Sequence, residues 1–236
     1  MLHSSTDAAF IGSSFVKGKI RAVVTHFHGS GWVGDKTTMD VDELELAYNG
    51  GLMVFPFYGP WAYMNRKART LIGETIDLVY QEHGLDDSVP LIITGHSMGG
   101  QGALIYARYS GRKPAAVVAK WPLTDLRHTL DENAEWKRTL INAYINDYDT
   151  MDEAIAENSP LEQVENMPRV PYFVIHGDAD QVVAKSTHSD RFVERMREAG
   201  YDIEYIEAPG MVHSFYNDFS HYRRMMDFTL KFFKQE

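Results

Sequence analysis

The segment "LIITGHSMGGQGALIYA", residues 91 to 107, sets a serine between two glycines where an apolar run gives way to a helical pattern. Gly-x-Ser-x-Gly in that setting is a sharp strand-to-helix turn that presents Ser97 as a nucleophile. Side chains at Gly95 and Gly99 would meet neighbouring backbone, and the turn holds Ser97 in a conformation strained by about 1–3 kcal/mol. The hydroxyl then projects toward solvent at a helix N-terminus, where the dipole favours developing negative charge.

A serine needs a base to take its proton, and the base needs an acid to orient it. Downstream, "PYFVIHGDADQVV" supplies a strand, a turn, Asp178 and Asp180, and "IEYIEAPGMVHSF" supplies a strand, a turn and His213. Asp125, in "WPLTDL", is a further candidate acid. His213 has rivals in His96, His128, His176, His188 and His221. His96 lies beside Ser97 with its side chain directed away, and His176 ends a strand and suits structural hydrogen bonding. His188 and His221 fall in helical, exposed stretches. Only His213 follows a late strand, as the base must.

Upstream, "RAVVTHFHGSGWVGD", residues 21 to 35, admits two chemistries. His26 and His28 have the spacing of two zinc ligands. The zinc pattern then needs an acid at position 30 and a histidine at 31, where this chain has Ser30 and Gly31. Catalytic zinc takes three protein ligands, so the metal reading fails for want of a third. The other reading is a glycine loop that turns a backbone N–H toward a reacting carbonyl, opposite the N–H of Met98. Ser30 is the expected loop donor, with Gly31 as the alternative. His28 braces this loop, and His26 is left without a role. No cofactor and no metal is expected.

The elements that position these residues follow from periodicity. Near-continuous apolar runs at 20–27, 52–57, 89–94, 115–119 and 171–175 read as parallel strands covered on both faces. The alternating run at 203–207 suits a strand nearer a sheet edge. Ala68, Leu71, Ile72, Ile76 and Val79 share one helical face, and so do Phe192, Val193, Met196 and Ala199, with Gly200 as a stop. Tyr222, Met225, Met226, Leu230 and Phe233 form a third such face. Strand and helix in alternation make an α/β fold with a mostly parallel sheet and helices on both faces. Residues 121–168 exceed what a simple crossover needs and read as a cap inserted over one end of the sheet. Trp32, Trp61, Tyr63, Trp121 and Trp136 fall on or near the loops above the strand ends. Trp32, Trp61 and Trp121 are the candidates for substrate contact, to a small or aromatic acyl group or a sugar ring.

Composition narrows the rest. The chain has 236 residues, no cysteine and a formal net charge of −10. The acidic balance argues against nucleic acid and anionic membranes as partners, and the missing thiols exclude a cysteine nucleophile and a disulfide framework. No signal peptide is visible at the N-terminus, so a cytoplasmic location is expected. A single domain spanning 1–236 is expected, with a small molecule as its partner.

Taken together, "HGSGW", "GHSMGG", "HGDADQVV" and "GMVHSF" resemble the α/β-hydrolase superfamily over nearly the whole chain from Arg21. The C-terminal third, "SPLEQVENMPRVPYFVIHGDADQVV", is most similar to the esterase and prolyl-oligopeptidase-like (S9-type) branch. The resemblance implies the α/β-hydrolase fold, trimmed at its N-terminal edge to at most one short strand around residues 10–16. It implies that Asp180, the second acid of His-Gly-x-x-Asp-x-x-Val, faces the histidine, while Asp178 shapes the turn. It implies a serine carboxylesterase working through Ser97, His213 and Asp180, with a small-molecule ester as its partner. A peptidase is the first alternative, although such enzymes carry a large extra domain. A non-catalytic hydrolase-fold binding protein is the second.

Overall fold

The computed structural model describes residues 2–214 and 219–235, so Phe215 of the quoted "GMVHSF" lies outside the described residues. Among these described residues seven strands form one sheet in the order β1-β3-β2-β4-β5-β6-β7. They are β1 (Ala9–Ile11), β2 (Ala22–Phe27), β3 (Gly51–Pro56), β4 (Leu91–His96), β5 (Ala116–Lys120), β6 (Tyr172–Gly177) and β7 (Ile203–Ala208). Only β1 runs antiparallel, along β3 at the sheet edge. The early strand expected around 10–16 is confined to these three residues, because a 3-10 turn at Ser13–Phe15 ends it.

Among the described residues there are eight α-helices, seven between strands and one after the last: α1 (Val41–Tyr48), α2 (Arg66–Glu82), α3 (Met98–Tyr109), α4 (Leu126–Glu132), α5 (Ala134–Tyr144), α6 (Met151–Asn158), α7 (Ser189–Glu198) and α8 (Phe219–Leu230). Strand residues alternate between two apolar layers, as a period of two requires. Val23, Leu52, Ile93, Val117 and Val174 face α2, α3 and α7. Val24, Met53, Ile92, Val118 and Phe173 face α1 and α8. All three predicted helical faces carry buried residues, on α2, on α7 and, through Met225, Met226 and Phe233, on and just past α8, and Gly200 takes a φ of +74 just past α7.

Helices α4, α5 and α6 are the inserted cap. They are tied down rather than free: Tyr144 donates its hydroxyl to the Tyr63 carbonyl at 2.6 Å, and Arg69 on α2 pairs with Glu157 at 2.7 Å. Gln101 of α3 donates to the Asn158 carbonyl at 2.9 Å.

The strand order fixes where a site can form. From β2 the chain goes through α1 to β3 on one side, and from β4 through α3 to β5 on the other. The carboxyl ends of β2 and β4 are therefore a switch point, where diverging connections leave a crevice. Phe27 pairs with Gly95 in that register, which sets the glycine loop after β2 beside the serine turn after β4.

Candidate active site

Ser97 takes a φ of +56, a conformation that L residues rarely adopt. Its glycine neighbours are required as expected. A Cβ on Gly95 would lie 2.1 Å from the Gly99 carbonyl oxygen, and one on Gly99 would lie 2.1 Å from that of Phe27. The Ser97 N–H is spent on the Lys120 carbonyl of β5 at 3.0 Å. In one respect the sequence expectation is corrected. Ser97 is only 7% exposed, and it lies in a partly open cavity walled by Trp136 of the cap and by Trp121 and Leu123 after β5 rather than projecting freely into solvent.

The Ser97 hydroxyl lies 3.0 Å from His213 Nε2, and His213 Nδ1 lies 2.7 Å from Asp180 Oδ2. The carboxylate can only accept, so the histidine hydrogen sits on Nδ1 and leaves a lone pair on Nε2 for the serine proton. Asp180 is held by three more donors: the Val182 and Val183 N–H groups, each at 2.9 Å, and His176 Nε2 at 3.2 Å. Burial raises its pKa, but the bonds from His176, His213 and Val183 outweigh that and hold it well below the usual carboxylate range. The orienting acid is therefore ionised at neutral pH.

The neighbouring acids do other work. Asp178 accepts the Gly210 N–H at 2.6 Å, so it ties the loop after β6 to the loop bearing His213, not merely its own turn. Asp125 caps α4 by accepting the His128 N–H at 3.0 Å and pairs with Arg191. His176 is fully buried and shares the same Nε2–H between Asp180 and the Val183 carbonyl, the latter at 2.8 Å, a structural role as expected. His188 is corrected. It is not exposed but fully buried ahead of α7, where its Nδ1 accepts the Thr124 and Asp125 N–H groups, each at 3.1 Å.

That last bond also decides a metal question. His128, Glu132 and His188 bring ligand-type atoms within 4.8 Å of one another. With His188 Nδ1 accepting, the ring hydrogen occupies Nε2, and no lone pair remains there for an ion. His26 and His28 form no pair of ligands either, since both nitrogens of His26 are bonded to Thr94 and His96.

In the glycine loop the Gly31 N–H donates to the Pro60 carbonyl at 2.7 Å. The alternative donor is thereby consumed. The Gly29 N–H goes to His96 Nε2 at 3.1 Å. Among the described residues the N–H of Ser30 has no such partner, and Ser30 lines the cavity that holds Ser97.

That cavity has a volume of about 340 Å³, and its walls include Tyr63, Trp121, Leu123, Trp136 and Val182. Three of the four non-glycine residues with positive φ among the described residues, Tyr63, Ser97 and Trp121, line it. Strain is thus concentrated at the site. Of the three tryptophans expected to contact substrate, only Trp121 lines the cavity that holds Ser97. Trp32 packs on His28 at 4.7 Å and lines a separate cavity behind the loop, and Trp61 lies outside both cavities, 46% exposed. Leu123 and Val182 are aliphatic residues that sequence patterning offered no reason to single out.

A parallel sheet with a serine turn, a histidine and a buried acid at its carboxyl edge defines an α/β-hydrolase fold serine hydrolase. The prolyl oligopeptidase family matches residues 74–236, and the chain belongs to that family. Among solved structures it is similar to a Mycobacterium tuberculosis puromycin-hydrolyzing peptidase, at 20% identity and a TM-score of 0.72 over 92% of this chain and 34% of that one. Uncomplexed Pyrococcus horikoshii acylaminoacyl peptidase gives 17% identity and a TM-score of 0.77 over 97% of this chain and 40% of that one. Esterase B from Lactobacillus rhamnosis gives 14% identity and a TM-score of 0.70 over 92% of this chain and 77% of that one. The chain spans roughly a third of the length of the first of these peptidases.

Proposed function

We propose that this serine hydrolase cleaves carboxylic esters of small or aromatic acids through an acyl-enzyme. The observation that carries the chemistry is the relay Asp180–His213–Ser97, with spacings of 2.7 and 3.0 Å. His213 takes the Ser97 proton as the hydroxyl attacks the ester carbonyl, and Asp180 stabilises the imidazolium. The N–H groups of Met98 and Ser30 receive the developing oxyanion. Each such donor contributes about 3–4 kcal/mol of transition-state stabilisation. His213 then returns the proton to the departing alcohol, and activates the water that releases the acid.

The cavity supports the ester reading. Among its described lining residues there is no Asp, Glu, Lys or Arg. None of these described residues pairs with a charged peptide terminus, whereas a neutral acyl group suits the aromatic walls Tyr63, Trp121 and Trp136. The family membership is the observation that favours a peptidase as the second reading. Turnover of 4-nitrophenyl esters of graded acyl size, measured beside the matching 4-nitroanilides, separates the two. Faster ester turnover is expected, and anilide turnover exceeding it moves the reaction to the peptidase class.

A further inference from the structure

His96, His26 and Thr94 form a hydrogen-bonded chain behind the glycine loop, and every proton in it can be assigned. A backbone N–H can only donate, so Gly29 N–H gives its hydrogen to His96 Nε2 at 3.1 Å. A neutral His96 then carries its own hydrogen on Nδ1 and donates it to His26 Nε2 at 3.1 Å. By the same logic His26 carries its hydrogen on Nδ1 and donates to Thr94 Oγ1 at 2.8 Å. Thr94 ends the chain by donating to the Thr25 carbonyl at 3.2 Å. Burial is the main reason both rings stay neutral: it pushes the His96 pKa down to about 3 and that of His26 well below the ordinary value.

The next peptide is held from its other side. His28 Nδ1 donates to the Gly29 carbonyl at 2.8 Å. In a trans peptide the following N–H points opposite that carbonyl. Both peptide planes that flank Gly29 are thus clamped, and their rotation is what aims the Ser30 N–H. The fit leaves no slack, because a Cβ on Gly29 would sit 2.9 Å from His96 Nε2.

We infer that His96 and His26, which the catalytic steps do not use, are positioning residues that lock the loop to the serine turn and aim the Ser30 N–H at the oxyanion. The inference rests on the proposed acyl-enzyme chemistry. His96 precedes Ser97 directly, so one side chain couples the nucleophile to the loop opposite it. His26 acts at one remove by fixing which nitrogen of His96 accepts. Without it His96 is free to carry its hydrogen on Nε2, where it repels the Gly29 N–H.

The test compares His96→Leu, His96→Gln and His26→Phe in hydrolysis of 4-nitrophenyl butyrate, with thermal unfolding measured for each. His96→Leu is expected to lower kcat about 100-fold with KM within about three-fold of wild type, since the loss falls on the transition state alone. Gln at 96 offers Oε1 to Gly29, and is expected to recover about ten-fold of that loss. His26→Phe keeps the ring against Phe55 and His96, and is expected to lose about ten-fold in kcat. Folded variants that keep wild-type kcat overturn the inference, as does a Gln variant no better than Leu, or a loss that appears in KM. If His96→Leu does not fold, the Gln and Phe variants decide between the same outcomes. Fluorophosphonate labelling of the wild type is run alongside. Its absence overturns the acyl-enzyme reading itself, whereas labelling with unaffected variants overturns only the clamp.

Discussion

Ser97 and His213 meet at 3.0 Å although 116 residues separate them in the chain. Two loop contacts bring this about. Gly177 at the end of β6 passes so near the His213 loop that a Cβ there would lie 1.8 Å from the Met211 carbonyl oxygen, and Asp178 holds the Gly210 N–H beside it. Gly177→Ala must therefore push the His213 loop away. Its expected result is a kcat at least 100-fold below wild type, a loss of the order that about 1 Å of misplacement produces. Thermal unfolding of the same variant tells displacement of the loop from loss of the fold.

Asp180→Asn keeps the shape of the acid but lets its amide donate, which favours the wrong histidine tautomer. A fall in kcat of about 10⁴-fold is expected, with KM little changed. His176 donates to the same carboxylate oxygen as His213, from 3.2 Å against 2.7 Å. His176→Phe is expected to produce a much smaller loss than Asp180→Asn in the same steady-state assay.

Buried histidines set an acid limit on stability. His28 is pushed down to about 4 and His188 to about 3, in both cases chiefly by burial. An unfolded histidine titrates near 6.5, so between these values the unfolded chain binds more protons than the native one. Their contribution is complete above pH about 6.5 and is lost as pH falls, by up to about 2 kcal/mol per group at pH 5. Asp180 adds a second loss below pH about 4, because its folded pKa is depressed. Urea midpoints at pH 7 and pH 5 measure the first window. His188→Asn keeps an acceptor for the Thr124 and Asp125 N–H groups, and is expected to show the smaller drop between the two.

Trp136 enters the site from α5 of the cap and, with Trp121, bounds the cavity. Trp136→Ala enlarges that wall. The ratio of kcat/KM for a 4-nitrophenyl benzoate over the acetate is expected to rise about ten-fold, the scale at which apolar pocket contacts discriminate. An unchanged ratio would mean that the acyl group lies elsewhere.

The sheet was readable from sequence because its strands are long apolar runs with few competing patterns; the run at 171–175 differs from β6 only at its ends. Ser97, Asp180 and His213 were readable because each occupies a loop after a strand, and their order constrains the fold. What failed depended on distant contacts. The helical stretch around His188 suggested exposure, yet the backbone after β5 closes over it. Trp32 and Trp61 sit near the right loop, but the direction of a side chain is set by packing against His28 and its neighbours, which spacing does not encode. Gly31 was excluded as a donor only by the Pro60 carbonyl, which lies 29 residues further along the chain.

The central claim is that Ser97 is the nucleophile of the relay. Intact-protein and peptide mass spectrometry after reaction with a fluorophosphonate reads it directly, with Ser97→Ala as the control. A single phosphonyl adduct on Ser97 is predicted, with ester hydrolysis lost in step with its formation and no labelling of Ser97→Ala. An adduct on another residue, or hydrolysis that survives in Ser97→Ala, contradicts it.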